Sequence, residues 1–116
     1  IALGKTKFNK DKLSLEEKQA AAAIGQIELI SKYRDLFQEQ NLDIAQILLT
    51  LGDCNNRERY LNSQNTINTL LKNNIIPIIN ENDSVAVDEI KIGDNDRLAA
   101  RIAQMESADL LILFSE

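Results

Sequence analysis

Histidine and tryptophan are absent from this sequence, and cysteine and proline occur once each. Without histidine there is no Ser–His–Asp nucleophile system, and with a single cysteine beside that absence a zinc site has no ligand set. Cys54 has no partner for an internal disulfide, which suits a reducing compartment. No histidine stands by to activate it, so it reads as a small loop residue rather than a reactive thiol. The four glycines, Gly4, Gly25, Gly52 and Gly93, are scattered, so neither a glycine-rich phosphate loop nor a Walker motif is present. Long apolar runs are also lacking. The longest are Ala20 to Ile24 and Leu110 to Phe114, far short of the roughly 20 residues of a membrane span. Positive charge is sparse as well: 13 basic against 18 acidic residues leave a net charge of −5, and no Lys/Arg cluster forms the stripe expected of a nucleic-acid binder.

What is present is ordinary for a soluble globular domain, with 44% hydrophobic and 27% charged residues in a chain of 116. That length fits one compact domain. The chain opens on Ile1 and stops at Glu116 just after an apolar run, and both ends read as cut from a longer protein.

Ser14 followed by Glu17 is a capping-box pattern, and good helix formers continue from Leu15 to about Gln40. Within them Ala22, Gly25, Leu29, Tyr33 and Phe37 recur at helical spacing and predict one buried stripe; Gly25 in mid-helix suggests close packing. Ile44 to Thr50 reads as a buried strand, about Asn56 to Lys72 as a second helix ending at the turn-prone Asn73 and Asn74, and Ile75 to Ile79 as a second strand. Pro77 argues that this strand lies at an edge or tolerates a missing donor. Arg57, Glu58 and Arg59 read as a solvated first helical turn or as the rim of a site or subunit contact. A small hairpin is expected around Val85 to Val87 and Glu89 to Ile92, a third helix from Asp94 to about Ser107, and a third strand over Leu110 to Phe114. Strand, helix, strand, excursion, helix, strand implies an α/β fold with parallel strands.

In an open parallel sheet ligands bind beyond the carboxyl ends of the strands. There this sequence places Thr50 to Asn56, Asn80 to Asp96, and Ser115 with Glu116. Asn80, Glu81, Asn82 and Asp83 leave one strand in a row, and Gly93, Asp94, Asn95 and Asp96 lead into the next helix. Carboxylates with side-chain carbonyls suit an ammonium group, while amide donors and a helix N-terminus suit a carboxylate or phosphate, so the pair of clusters suits an amino acid. The same residues equally serve turns and helix caps, Asp94 above all. Asp94 and Asp96 are spaced like the first two ligands of a calcium loop, but Leu98 stands where a third ligand is needed.

The run NNIIPIINENDSVAVDEIKIGDND at Asn73 to Asp96 resembles the glutamate 5-kinases of the amino acid kinase family. IALGK at Ile1, KQAAAAIGQ at Lys18, QILLT at Gln46, RERYLN at Arg57 and the terminal LLILFS extend the resemblance over nearly the whole chain. INEND followed by GDND is the distinguishing part, since the layered fold alone fits acetylglutamate, aspartate, carbamate or uridylate kinases equally.

The resemblance implies a three-layer αβα sandwich with a mainly parallel sheet, of which residues 1–116 form the central part, truncated at both ends. It implies transfer of the γ-phosphate of ATP, with Mg2+, to the side-chain carboxylate of L-glutamate, as the first step of proline synthesis in the cytoplasm. It further implies a homo-oligomeric full-length enzyme with proline as feedback inhibitor, while the composition gives neither a membrane nor, for this segment, a nucleic acid as partner. Asp83 and Asn95 match the family's glutamate-binding residues, with Asn80 and Asp94 beside them, and Asp96 matches an aspartate that orients catalytic lysines. Ser115 and Glu116 fall where a Thr/Ser–Asp pair touches the nucleotide, Glu116 departing from the usual aspartate. The family's glycine loop, both lysines and a substrate-contacting serine are not in this sequence, so the chain alone is expected to be inactive. Another amino acid kinase, such as acetylglutamate kinase, or a non-catalytic amino-acid sensor are the alternative readings.

Overall fold

The computed structural model describes residues 13–86 and 94–114. Ser14 caps the first helix, α1 (Leu15–Gln38), by the expected reciprocal box: its hydroxyl accepts from Glu17 N at 3.2 Å, and the Glu17 carboxylate accepts from Ser14 N at 2.8 Å. The buried stripe of α1 is narrower than the sequence predicts. Ala21, Ala22 and Gly25 are buried, Leu29 and Phe37 are half-buried, and Tyr33 is exposed, stacking on Phe37 with ring centroids 6.5 Å apart. The small residues lie in the first half of the helix, and the aromatic pair lies in its last turns.

Strand β1 (Asp43–Leu49) leads into a five-residue helix, α2 (Leu51–Asn55), and then α3 (Arg57–Lys72), which returns the chain to β2 (Ile75–Glu81). The strands pair in parallel, from Asp43 opposite Ile75 to Leu49 opposite Glu81. Among the described residues β2 has a neighbour on one side only, the edge setting that Pro77 requires. α1 packs on β1, while α3 and α4 (Asp94–Met105) pack on β2. Every residue of β2 is half-buried. Because alternate residues of a strand point to opposite faces, both faces of the sheet carry cover, as the αβα layering demands. Ile67 of α3 and Leu98 and Met105 of α4 are almost wholly buried, at 1%, 3% and 1% exposure, and with Leu49, Ala21 and Ala22 they form the core.

Three helices end on residues with positive φ: Asn41 at 56°, Asn74 at 58° and Ser107 at 49°. After α1, Asn41 N donates to Gln38 O and Leu42 N to Phe37 O; after α4, Ser107 N donates to Gln104 O and Ala108 N to Ala103 O. These are the paired bonds of the Schellman stop, which turns the chain back towards the sheet.

Two expectations are corrected. Cys54, expected in a loop, lies in the short helix α2, because Thr50 and Asp53 form a second capping box. Leu110 to Phe114 is not a strand: these residues pair with no other among those described, and their side chains are 41% to 96% exposed. Apolar, branched residues favour a strand only when a neighbouring strand accepts their backbone groups. The expected hairpin lies largely outside the described residues, although Val85 belongs to the turn that follows β2.

Asparagine tolerates the left-handed region and serine does so less well. Ser107→Gly is therefore expected to stabilise the protein by about 1 kcal/mol, read as a higher urea midpoint with unchanged slope.

Candidate functional site

The parallel register brings the carboxyl ends of β1 and β2 together, and Asn82 N donates to Leu49 O at 2.8 Å just beyond the last paired residues. Polar segments therefore leave both strands at one edge of the sheet.

On the β1 side, Thr50 and Asp53 close tightly on each other. Thr50 N and its hydroxyl donate to one oxygen of the Asp53 carboxylate at 2.8 and 2.9 Å, and Asp53 N donates back to the hydroxyl at 3.1 Å. The other carboxylate oxygen receives Arg59 Nη1 at 3.1 Å. Asn56 caps α3 by accepting from Arg59 N at 3.0 Å. Arg59 is thus more than part of a solvated turn: it ties α3 to α2, although Arg57 and Glu58 are exposed as expected. Burial pushes the Asp53 carboxyl up, but the bonds from Thr50 and the Arg59 guanidinium outweigh it and hold the group below the usual carboxylate value. Burial first, and the Asp53 carboxylate second, push the Cys54 thiol up, which agrees with a structural rather than a reactive cysteine.

On the β2 side, Asn80 is the hub. Its Oδ1 accepts from Glu81 N at 2.9 Å and from Asn95 Nδ2 at 3.3 Å, and its Nδ2 donates to Gln26 Oε1 of α1 at 3.1 Å. The chain then turns at Asn82, whose backbone carbonyl accepts from Val85 N and Ala86 N and whose side chain accepts from the Ser84 hydroxyl. Gln19 of α1 holds the far end of this turn by donating to Ala86 O at 3.0 Å.

Of the residues expected from the sequence, Asn80 and Asn95 are brought into contact although 15 positions apart. Asp83 lies half-buried in the turn three residues after Asn80. Asp94 is the first residue of α4, and Asp96 stands exposed in its first turn. Ser115 and Glu116 lie outside the described residues. Gln26 was not singled out, although a glutamine two helical turns from Gln19 on an otherwise alanine-rich segment was a readable signal. Thr50 and Asp53 carry the T-x-x-D capping signature and were equally readable. Among the described residues no three Asp, Glu, His or Cys side chains gather as a metal site, and no helix is long and apolar enough to cross a membrane.

The model of the amino acid kinase family matches residues 3–116. The chain belongs to that family. It is similar to glutamate 5-kinase of Paramagnetospirillum magneticum, with 56% identity over 117 residues that cover 100% of this chain and 32% of that protein. It is 53% identical over 118 residues to glutamate 5-kinase of Rhodospirillum rubrum, and 57% identical over 118 to that of Bartonella henselae, covering 32% and 31% of those proteins. The chain thus spans about a third of the length of the curated relatives it matches. For an amino acid kinase segment the observed edge is the expected location of a ligand, at the carboxyl ends of parallel strands.

Since the folded pKa of Asp53 lies below its unfolded value of about 3.9, its contribution to stability is complete above that value and is lost as pH falls through the folded pKa. Asp53→Asn is expected to cost about 1 kcal/mol at pH 7, in urea unfolding, with the difference from the parent narrowing below about pH 4. A difference as large at pH 2.5 as at pH 7 would show that the charge is not its source.

Proposed function

We propose that this chain is the acceptor-binding central segment of a single amino acid kinase domain that phosphorylates the side-chain carboxylate of L-glutamate. The product is glutamyl 5-phosphate, the phosphate donor is ATP with Mg2+, and the pathway served is proline biosynthesis in the cytoplasm. The observation that carries this reading is the contact of Asn80 with Asn95 at the strand edge, with Asp83 half-buried in the turn that follows β2. The names of the relatives, at 53% to 57% identity over the whole chain, support glutamate as the acceptor.

An amino acid brings an ammonium group and two carboxylates to such an edge. Asp83 and the carbonyl oxygen of Asn95 suit the ammonium, and the N-terminus of α4 suits a carboxylate. Asn80 holds Asn95 in place. Asp96 is exposed beside Asn95, where it serves as a positioning residue for cationic groups of the complete enzyme. The side-chain carboxylate of glutamate is already ionised at neutral pH, so its attack on phosphorus needs no general base. Catalysis then rests on alignment and on neutralising the phosphoryl oxygens. ATP supplies the transferred group. Ser115 and Glu116 are proposed on the nucleotide side, while no metal ligands are assigned to the described residues.

In the complete protein Asn95→Ala and Asp83→Asn are each expected to raise KM for glutamate by about tenfold or more while leaving KM for ATP within about twofold. Steady-state kinetics with each substrate varied would check this. An unchanged KM for glutamate in both variants, or phosphorylation of N-acetylglutamate but not glutamate by the parent, would overturn the reading. The 116-residue chain alone is expected to transfer no phosphate from ATP to glutamate.

A further inference from the structure

Gln26 stands on α1, remote in sequence from the proposed glutamate contacts, yet it is hydrogen-bonded to the residue at their centre. The polarity of that contact is dictated by the backbone. A peptide N–H can only donate, so the Asn80 atom 2.9 Å from Glu81 N is the carbonyl oxygen. The same oxygen faces Asn95 at 3.3 Å, so Asn95 must turn its NH2 inward. Its own carbonyl oxygen is thereby left to point away from Asn80, as an acceptor. At the other end, the Asn80 NH2 faces Gln26 at 3.1 Å, and Gln26 must offer Oε1. Gln26 in turn keeps its NH2 out of any hydrogen bond among the described residues. Three carboxamides thus form one directed chain, Asn95 to Asn80 to Gln26, from an acceptor at the α4 end to a donor at the α1 end.

Without Gln26 the Asn80 NH2 loses this partner inside a half-buried site. Glu81 N still fixes which end of the Asn80 amide is the oxygen, but the side chain loses its tether to α1 and can swing, carrying with it the atom that holds the Asn95 NH2. We propose that Gln26 is a positioning residue: through Asn80 it holds Asn95 with its carbonyl oxygen directed to the α-ammonium of the amino-acid substrate, without touching the reacting atoms. Gln19, two turns earlier on the same helix, holds the Ala86 carbonyl at 3.0 Å, so α1 secures the β2 turn at a second point and a local change at position 26 leaves that anchor intact.

The inference rests on the glutamate reading above for the identity of the ligand, but not for the directed chain itself. The test therefore has two arms in the complete protein. In the first, the side-chain amide resonances of Asn80 and Asn95 are followed by NMR without substrate. Gln26→Met, whose thioether is only a weak acceptor, is expected to shift both and to speed their exchange with solvent; Gln26→Glu, which can only accept and so preserves the polarity, is expected to restore slow exchange. In the second arm, Gln26→Met is expected to raise KM for glutamate by about tenfold, the loss of one hydrogen bond's worth of ordering, with KM for ATP little changed. Gln26→Glu is expected to recover most of that loss.

Unshifted Asn80 and Asn95 amides in Gln26→Met would overturn the positioning role whatever the enzyme's substrate. So would a Gln26→Glu variant as impaired in both arms as Gln26→Met, which would instead point to direct use of the Gln26 NH2. If the amides respond as expected while the parent phosphorylates no glutamate, the positioning of Asn95 stands and only the identity of the ligand falls.

Discussion

The parallel ladder that sets Leu49 opposite Glu81 governs where every polar group of interest emerges. In a parallel pair both chains leave at the same end, so Thr50 to Asn56 and Asn80 to Ala86 share one edge. An antiparallel pairing of the same two strands would send these segments to opposite ends. The register is held by half-buried branched side chains on both strands, and a slip by one residue would reverse the faces of all of them. The chemistry at the edge therefore depends on packing well away from it.

Two polar groupings at that edge solve different problems. Thr50, Asp53 and Arg59 satisfy the starts of two successive helices, and the charge of Asp53 is neutralised at once by Arg59. The grouping is closed and serves the fold. Gln26, Asn80 and Asn95 are neutral, link three different elements, and finish on atoms that can still bond. Neutral amides avoid the desolvation cost of buried charge while retaining direction, which suits them to the zwitterionic ligand proposed above, whose own charges supply the strength.

Much of the fold could be read from the sequence. The Ser14 and Glu17 box, the apolar runs of β1 and β2, and the asparagines at 41 and 74 all act through neighbours a few positions away, and local physics decides them. Leu110 to Phe114 shows the limit of such reading: its composition favours a strand, but a strand requires a partner, and composition does not provide one. Tyr33 was expected inside because it falls on the apolar stripe, yet it is exposed, and the buried residues of α1 are Ala21, Ala22 and Gly25.

For the site, residue types and chain position marked Asn80 to Asp83 and Gly93 to Asp96 as polar clusters at the strand ends, equally suited to turns and caps, and the family resemblance singled out Asp83 and Asn95 among them. The sequence by itself determined α1, β1, α3, β2 and α4, the parallel arrangement of the two strands and the presence of amides and carboxylates where they finish. Only the tertiary structure decided that Asn80 meets Asn95 across 15 residues and Gln26 across 54, and that a single backbone N–H orients all three. Those distances depend on how helices settle on the sheet, a result of whole-core packing that no local pattern encodes.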